Sequence, residues 1–302
     1  MVELWVPITL GAVIFQTIRT GMQKHLKGAL TTSGATYVRF LFGMPLAGLY
    51  LYILLQGSGA PMPDVSGLFL FYAFLGAMGQ VLGTFLLVYL FSFRNFAVGT
   101  TYTKTEAFQT AIFGVVFFGE LLSAAGFLAI VISMIGVMMI SIVHGKASLR
   151  GFLTGWTNQV AIYGLISGSG FAVAAVGVRA ASLSLGLDGF LIPAAVTLVW
   201  VTGMQVVVMT VYMLIRERAQ FGAIFRNLKF CSLVGLTGVA GSVCWFNAMT
   251  LENAAYVRTL GQVELILSLL TSYIVFKERS TRYEIVGMVL IVIGIVILLR
   301  YR

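Results

Sequence analysis

Ten apolar stretches, each long enough to cross a lipid bilayer, dominate this 302-residue chain. A spanning helix needs about 20 mostly apolar residues, and in hydrocarbon it must satisfy every backbone polar group within itself. The stretches are 5–23, 34–56, 67–93, 95–118, 123–143, 155–180, 189–214, 230–250, 253–276 and 283–300. They leave only short connections, so no soluble domain fits between them. Charged residues are 10% of the chain, against roughly 25% in a soluble protein. Such a chain cannot cover itself with polar surface. The expectation is an all-α integral membrane protein of ten transmembrane helices.

The 19 Lys and Arg against 10 Asp and Glu give a net charge of +9. No basic run interleaves with aromatics, which excludes nucleic acid as a partner. The cations gather instead at the ends of apolar stretches, where they set orientation. The loops after spans 1, 3, 5, 7 and 9 take thirteen of them, among these Arg19, Lys24, Lys27, Arg94, Arg216 and Arg226, while the opposite side takes Arg179, Arg300 and Arg302. By that rule the protein is a multi-pass protein of the cell membrane with both termini outside the cytoplasm. The N-terminus carries Glu3 and no basic segment, so it reads as a first span and not as a cleaved signal. Ser123 and Ser280–Thr281 are placed to cap the helices after them, and Glu217 to Lys229 reads as a short amphipathic helix. Cys231 and Cys244 lie in apolar surroundings, and His25 and His144 lack metal-binding partners at helical spacing. No cofactor, metal or catalytic motif is expected, and so no enzyme.

Sliding the chain on itself by 158 residues brings Glu106 onto Glu264 and Glu120 onto Glu278. Asn95 then meets Asn253, Thr110 meets Ser268 and Gly136 meets Gly294. Two coincident pairs among ten acids argue for two five-span halves, 1–150 and 151–302. Five is odd, so the second half enters the membrane from the opposite side. Inverted repeats of this kind hold the substrate site of many secondary transporters between them, near the midplane.

The stretches TEAFQTAIFGVVFFGELLS with SMIGVMMIS, and VELILSLLTSYIVFKERST with VIGIVILL, resemble the drug/metabolite transporter superfamily in its ten-span EamA-type branch. TYVRF in span 2 and NAMTLENAA before span 9 are similar to the family as well. The resemblance covers essentially the whole chain. Two features depart from the family: Ala107 and Leu265 stand where a proline often follows the first glutamate, and family members are commonly drawn with cytoplasmic termini. The resemblance implies a carrier of small metabolites without ATPase or covalent chemistry, over cargo ranging from amino acids and drugs to sugar phosphates.

Ionisable groups at membrane depth are costly and are seldom idle. Glu106 and Glu264 fall about eleven residues into their spans, near the bilayer centre at ~1.5 Å rise per residue. Thr110 and Ser268 follow four residues on, and Tyr102 and Gln109 share the Glu106 face. Lys104 and Arg258 supply cations at similar depth. A carboxylate there either pairs with a cation or takes up a proton, so structural pairing and a substrate or coupling role both stay open. Gln80, Asn158, Tyr163, Trp245 and Asn247 are the polar residues near the glycine-rich stretches that suit a binding site. Glu120 and Glu278 end their spans and read as turn-makers. Gly79 with Gly83, Gly164 with Gly168, and Gly235, Gly238 and Gly241 allow close helix packing.

The expected function is secondary transport of a small metabolite by alternating access. On family analogy that means export of an amino acid, with proton coupling through Glu106 or Glu264. A flippase for a lipid-linked substrate and an exporter of cationic drugs are the alternatives. The partners are the substrate, membrane lipid and protons. One chain supplies both halves, so a monomer suffices, and a homodimer is compatible.

Overall fold

The computed structural model describes residues 3–93, 100, 102–144, 159–267 and 281–301, with side chains of 141–144 excepted. The described residues are helical, joined by short turns. In chain order the helices are α1 (Trp5–Leu26), α2 (Thr32–Ser58), α3 (Gly67–Leu90), α4 (Glu106–Phe118), α5 (Ala124–His144), α6 (Gln159–Ser184), α7 (Leu191–Arg216), α8 (Ala219–Arg226), α9 (Leu228–Leu251), α10 (Ala254–Gly261) and α11 (Arg282–Tyr301).

Local chemistry sets many of the ends. Thr31, Ser66 and Asn253 each accept a backbone N–H of the helix they precede, the usual task of an N-cap. Ser123 accepts from Gly126 N. Thr281 and Glu284 cap each other reciprocally at α11, a capping box. The chain leaves α2 through Gly59 and α4 through Gly119, both at positive φ, which glycine adopts without steric cost. The polar stretch after α7 forms the short helix α8.

Six helices, α2, α3, α6, α7, α9 and α11, are long and apolar enough to cross a membrane, among the described residues. Of the other four expected spans, 95–118, 123–143 and 253–276 are described only in part. Arg19 and Lys24 dilute α1. The helix α5 itself runs over 21 residues, Ala124–His144. The described parts of 95–118 and 253–276 are not uniform α-helices. At Thr105 the backbone bonds back three residues to Tyr102, and Gln262 bonds back three residues to Thr259. These tightened turns stand just before Glu106 and Glu264. A 3₁₀ stretch inside a helix often marks a hinge.

The main packing partners are α3 with α6, α1 with α9, α5 with α11, and α2 with both α7 and α9. Glycine makes the closest of these. A Cβ on Gly79 would stand 2.6 Å from the Gly170 carbonyl oxygen and 2.8 Å from Ala174 N. Gly76 and Gly177 meet similarly one to two turns along. The α6 partners of the α3 glycines are thus Gly170 and Gly177, while Gly168 meets the backbone of Thr103. In α9, Gly235 admits Phe42, Gly238 admits Arg39 and Arg19, and Gly241 admits Phe15. Gly79→Val would press a branched side chain into backbone that cannot yield. We expect a loss of about 1–3 kcal/mol, read as a lower melting temperature in detergent, whereas the same change at Gly48, where a Cβ meets nothing within 4 Å, will cost little.

Two ends of the bundle are distinguishable. At one, Thr31 and Ser33 donate to Glu217, and Gln220 accepts from Thr31 N, tying the α1–α2 turn to the α7–α8 turn. This end carries Lys24, Lys27, Arg216, Arg218 and Arg226. The turns after α4 and α9 meet at the opposite end.

Candidate functional site

A cavity of about 100 Å³ lies between the halves, and its charged lining is Arg19, Lys104, Glu106, Arg258 and Glu264. Its wall includes Phe171 of α6 and reaches Phe91, just past the end of α3.

The charges pair crosswise. Lys104 Nζ, from the first half, is 2.7 Å from Glu264 Oε2 in the second. Arg258 Nη1, from the second half, is 3.5 Å from Glu106 Oε1 in the first. Polar and aromatic groups join the two pairs. Gln16 Nε2 donates to Glu264 at 3.1 Å, and Gln16 Oε1 accepts from Trp245 Nε1 at 3.0 Å. The Trp245 ring lies 4.6 Å under the Arg258 guanidinium, a cation–π contact. The Lys104 and Glu264 side chains remain 21% and 15% exposed, so the first pair is reachable from the cavity. Burying these charges would cost several kcal/mol each without partners. The pairing offsets that cost only while the halves hold this arrangement.

The other expected site residues scatter. Tyr102 is buried against Ala161, Met138 and Leu165 and does not line the cavity. Thr110 donates to the Glu106 carbonyl, not to its carboxylate, and Gln109 donates to Thr105. Gln80 accepts from Gln205 at 2.8 Å beside a smaller cavity of about 10 Å³ that also touches Arg39. Tyr163 accepts from Gln159 and packs edge-on against Tyr89. Asn247 donates to Tyr50 and to the Val243 carbonyl. Asn158, Ser268 and Glu278 lie outside the described residues.

Reading the sequence missed α1. Gln16, Arg19 and Thr20 all line the cavity. Arg19 does not sit in a cytoplasmic loop: α1 continues to Leu26, and Arg19 is only 3% exposed. The spacing i, i+3, i+4 puts these three on one face, a signal that counting loop charges hides.

Glu120 does more than turn the chain. It accepts from Arg179 Nε at 2.7 Å and from Asn253 Nδ2 at 2.9 Å. Arg179 Nη1 also donates to the carbonyls of Met249 and Glu252, each at 2.6 Å. Tyr256 accepts from Ser123 N alongside. This network ties the α4–α5 turn to α6 and to the α9–α10 turn, at the end away from the Lys/Arg-rich turns. Among the described residues no group of His, Cys, Asp and Glu is placed to hold a metal ion.

The model of the EamA-like transporter family matches twice, at residues 3–142 and 158–300. No curated protein sequence matches. One solved crystal structure of a protein aligns with a TM-score of 0.69 over 98% of this chain and 96% of the other, at 12% identity, a likeness that shows the fold alone. With both halves matched across nearly its whole length, and with long apolar helices packed around buried charges, the chain belongs to the EamA-like transporter family of multi-pass membrane proteins that move small molecules and are not enzymes.

Proposed function

We propose that this protein is a secondary carrier that moves a small metabolite by alternating access between two inverted five-helix repeats. The observation that carries the reading is the cavity lined by crossed ion pairs, in which each half supplies one cation and one carboxylate. The packing supports the repeat. Exchanging α1, α2, α3, α4 and α5 with α6, α7, α9, α10 and α11 turns the α3–α6 contact into α9–α1 and the α2–α9 contact into α7–α3. It turns α4–α6 into α10–α1 and leaves α2–α7, α4–α10 and α5–α11 unchanged. The tightened turns at Thr105 and Gln262 sit within one residue of corresponding places, where discontinuous helices frame the sites of many carriers.

In this state the Arg179–Glu120–Asn253 network is the closed gate, and the cavity faces the basic end, which the distribution of Lys and Arg makes cytoplasmic. Rocking the halves breaks that gate and re-forms contacts at the basic end. Proton coupling belongs to the same cycle: opening a crossed pair strands Glu106 or Glu264, and a stranded carboxylate at depth takes up a proton. Export of an amino acid remains the favoured cargo by family analogy. A carrier for cationic drugs fits less well, because three cations face two carboxylates in the cavity.

The test is counterflow in proteoliposomes preloaded with amino acids, organic acids, sugar phosphates or quaternary amines. Saturable accumulation of a labelled compound of one class, absent from protein-free liposomes, is the expected result. No accumulation with any class would overturn the reading.

A further inference from the structure

The two crossed pairs account for Lys104, Arg258, Glu106 and Glu264, and they leave one cavity cation over. Arg19 is only 3% exposed, and its Nε has no hydrogen-bond partner among the described residues. One terminal nitrogen reaches the Thr20 hydroxyl at 3.5 Å, a weak contact, and no described carboxylate lies within ion-pair distance of it. Arg258 has donors to spare as well. Its bond to Glu106 is stretched to 3.5 Å, and its Nε has no partner among the described residues. A third guanidinium stands close by. Arg39 is 4% exposed, donates to the Thr84 hydroxyl at 2.7 Å and meets no described carboxylate. Gly238 lets both stems pack against α9: a Cβ there would stand 3.1 Å from Arg39 Cγ and 3.7 Å from Arg19 Cδ.

Unpaired charges at this depth are costly, and guanidinium groups present planar donor forks matched to carboxylate and phosphate oxygens. We infer that the cargo carries an anionic group, a carboxylate or a phosphate, which docks between Arg19 and Arg258 in the cavity, with Arg39 adding positive potential behind them. This rests on the carrier reading above and names its substrate class. A cavity of about 100 Å³ has room for such a group and little more, so the rest of the cargo extends past Thr20 and Phe91. The same chemistry can come from a soluble metabolite or from an anionic lipid headgroup.

The test is a melting-temperature panel on the full chain in a neutral detergent. The probes are butyrate, aspartate, glycerol phosphate and phosphatidylglycerol, set against butylamine, glycine amide and butanol. An anionic probe raises the melting temperature by mass action, and the neutral and cationic probes do not. Arg19→Gln removes the shift. Arg19→Lys, which keeps the charge and loses the fork, weakens apparent affinity by about tenfold, equal to about 1.4 kcal/mol. Arg226→Gln, at an exposed position, leaves the shift unchanged. A response to the soluble anions identifies a metabolite, and a response to phosphatidylglycerol alone identifies a lipid headgroup. Equal stabilisation by butylamine or butanol, no shift with any anion, or a full shift in Arg19→Gln would each overturn the inference. Since the panel reads binding in the parent protein, a variant that fails to fold does not blunt it. A cationic or neutral ligand that binds the parent and flows would sink the anion and spare the carrier; an anion that binds but never flows would do the reverse.

Discussion

Glu264→Gln will lower the initial transport rate in proteoliposomes by at least about a hundredfold. The change leaves Lys104 at membrane depth without the carboxylate 2.7 Å away and leaves Gln16 only a neutral amide oxygen to donate to. Breaking one side of a buried ion pair costs about 3–5 kcal/mol. The Lys104 side chain is 21% exposed, so the lower end of that range applies to the paired, cavity-bearing state, and about 2.7 kcal/mol lowers its population, and with it the rate, a hundredfold. Lys104→Gln will be similarly damaging. The double exchange Lys104→Glu with Glu264→Lys restores the pair but not the Gln16 bond, and it will recover part of the rate. Both glutamine variants must first be shown to be monodisperse in detergent, so that a folding defect is not read as lost transport. A Glu264→Gln protein that transports at the parent rate would remove the crossed pairs from the mechanism.

The second large effect concerns the other end of the bundle. Fixing position 120 to position 179 with a short cleavable thiol crosslinker will reduce transport to below about a tenth, and cleaving the linker will restore it. The parent for this experiment replaces Cys231 and Cys244 with Ala, since both are free thiols. The reasoning is geometric. Arg179 binds Glu120 and two carbonyls of the α9–α10 turn, so opening that end requires these groups to part, and binding and release must alternate across the two ends. A covalent tie allows the state described here and forbids its counterpart. If the crosslinked protein keeps transporting, Arg179 and Glu120 hold a static corner of the fold and gate nothing.

The helical character and six membrane-length helices of the described residues could be read from the apolar runs, because hydrocarbon demands long helices that satisfy their own backbone. The coincidence of scarce acids at one offset singles out Glu106 and Glu264, and both line the cavity. What escaped has specific causes. Arg19 falls among the loop cations in a linear count, which cannot tell where α1 stops, and the helix runs on to Leu26. Tyr102 shares the Glu106 face on an ideal helix, but the tightened turn at Thr105 breaks that register, while Gln109, beyond the turn, is held by the Thr105 hydroxyl. Asn247 and Tyr163 are polar residues in apolar helices whose local partners, Tyr50 and Gln159, satisfy them away from the cavity. The role of Glu120 depends on Arg179, 59 residues away in the chain, a distance that no local pattern spans. Glycines in both spans point to close packing, but which helices meet, and which α6 glycines face α3, is decided by tertiary packing and helix rotation, and these are Gly170 and Gly177.

The claim that one buried site is exposed to each side of the membrane in turn can be tested without knowing the cargo. Thr103 lines the cavity and is 4% exposed. In oriented proteoliposomes of the cysteine-free parent carrying Thr103→Cys, a membrane-impermeant maleimide should label that position from the basic face only. Adding Arg179→Gln, which breaks the opposite gate, should make it reachable from the other face as well. Labelling from both faces before the gate is broken, or labelling that Arg179→Gln leaves unchanged, would contradict alternating access through this site.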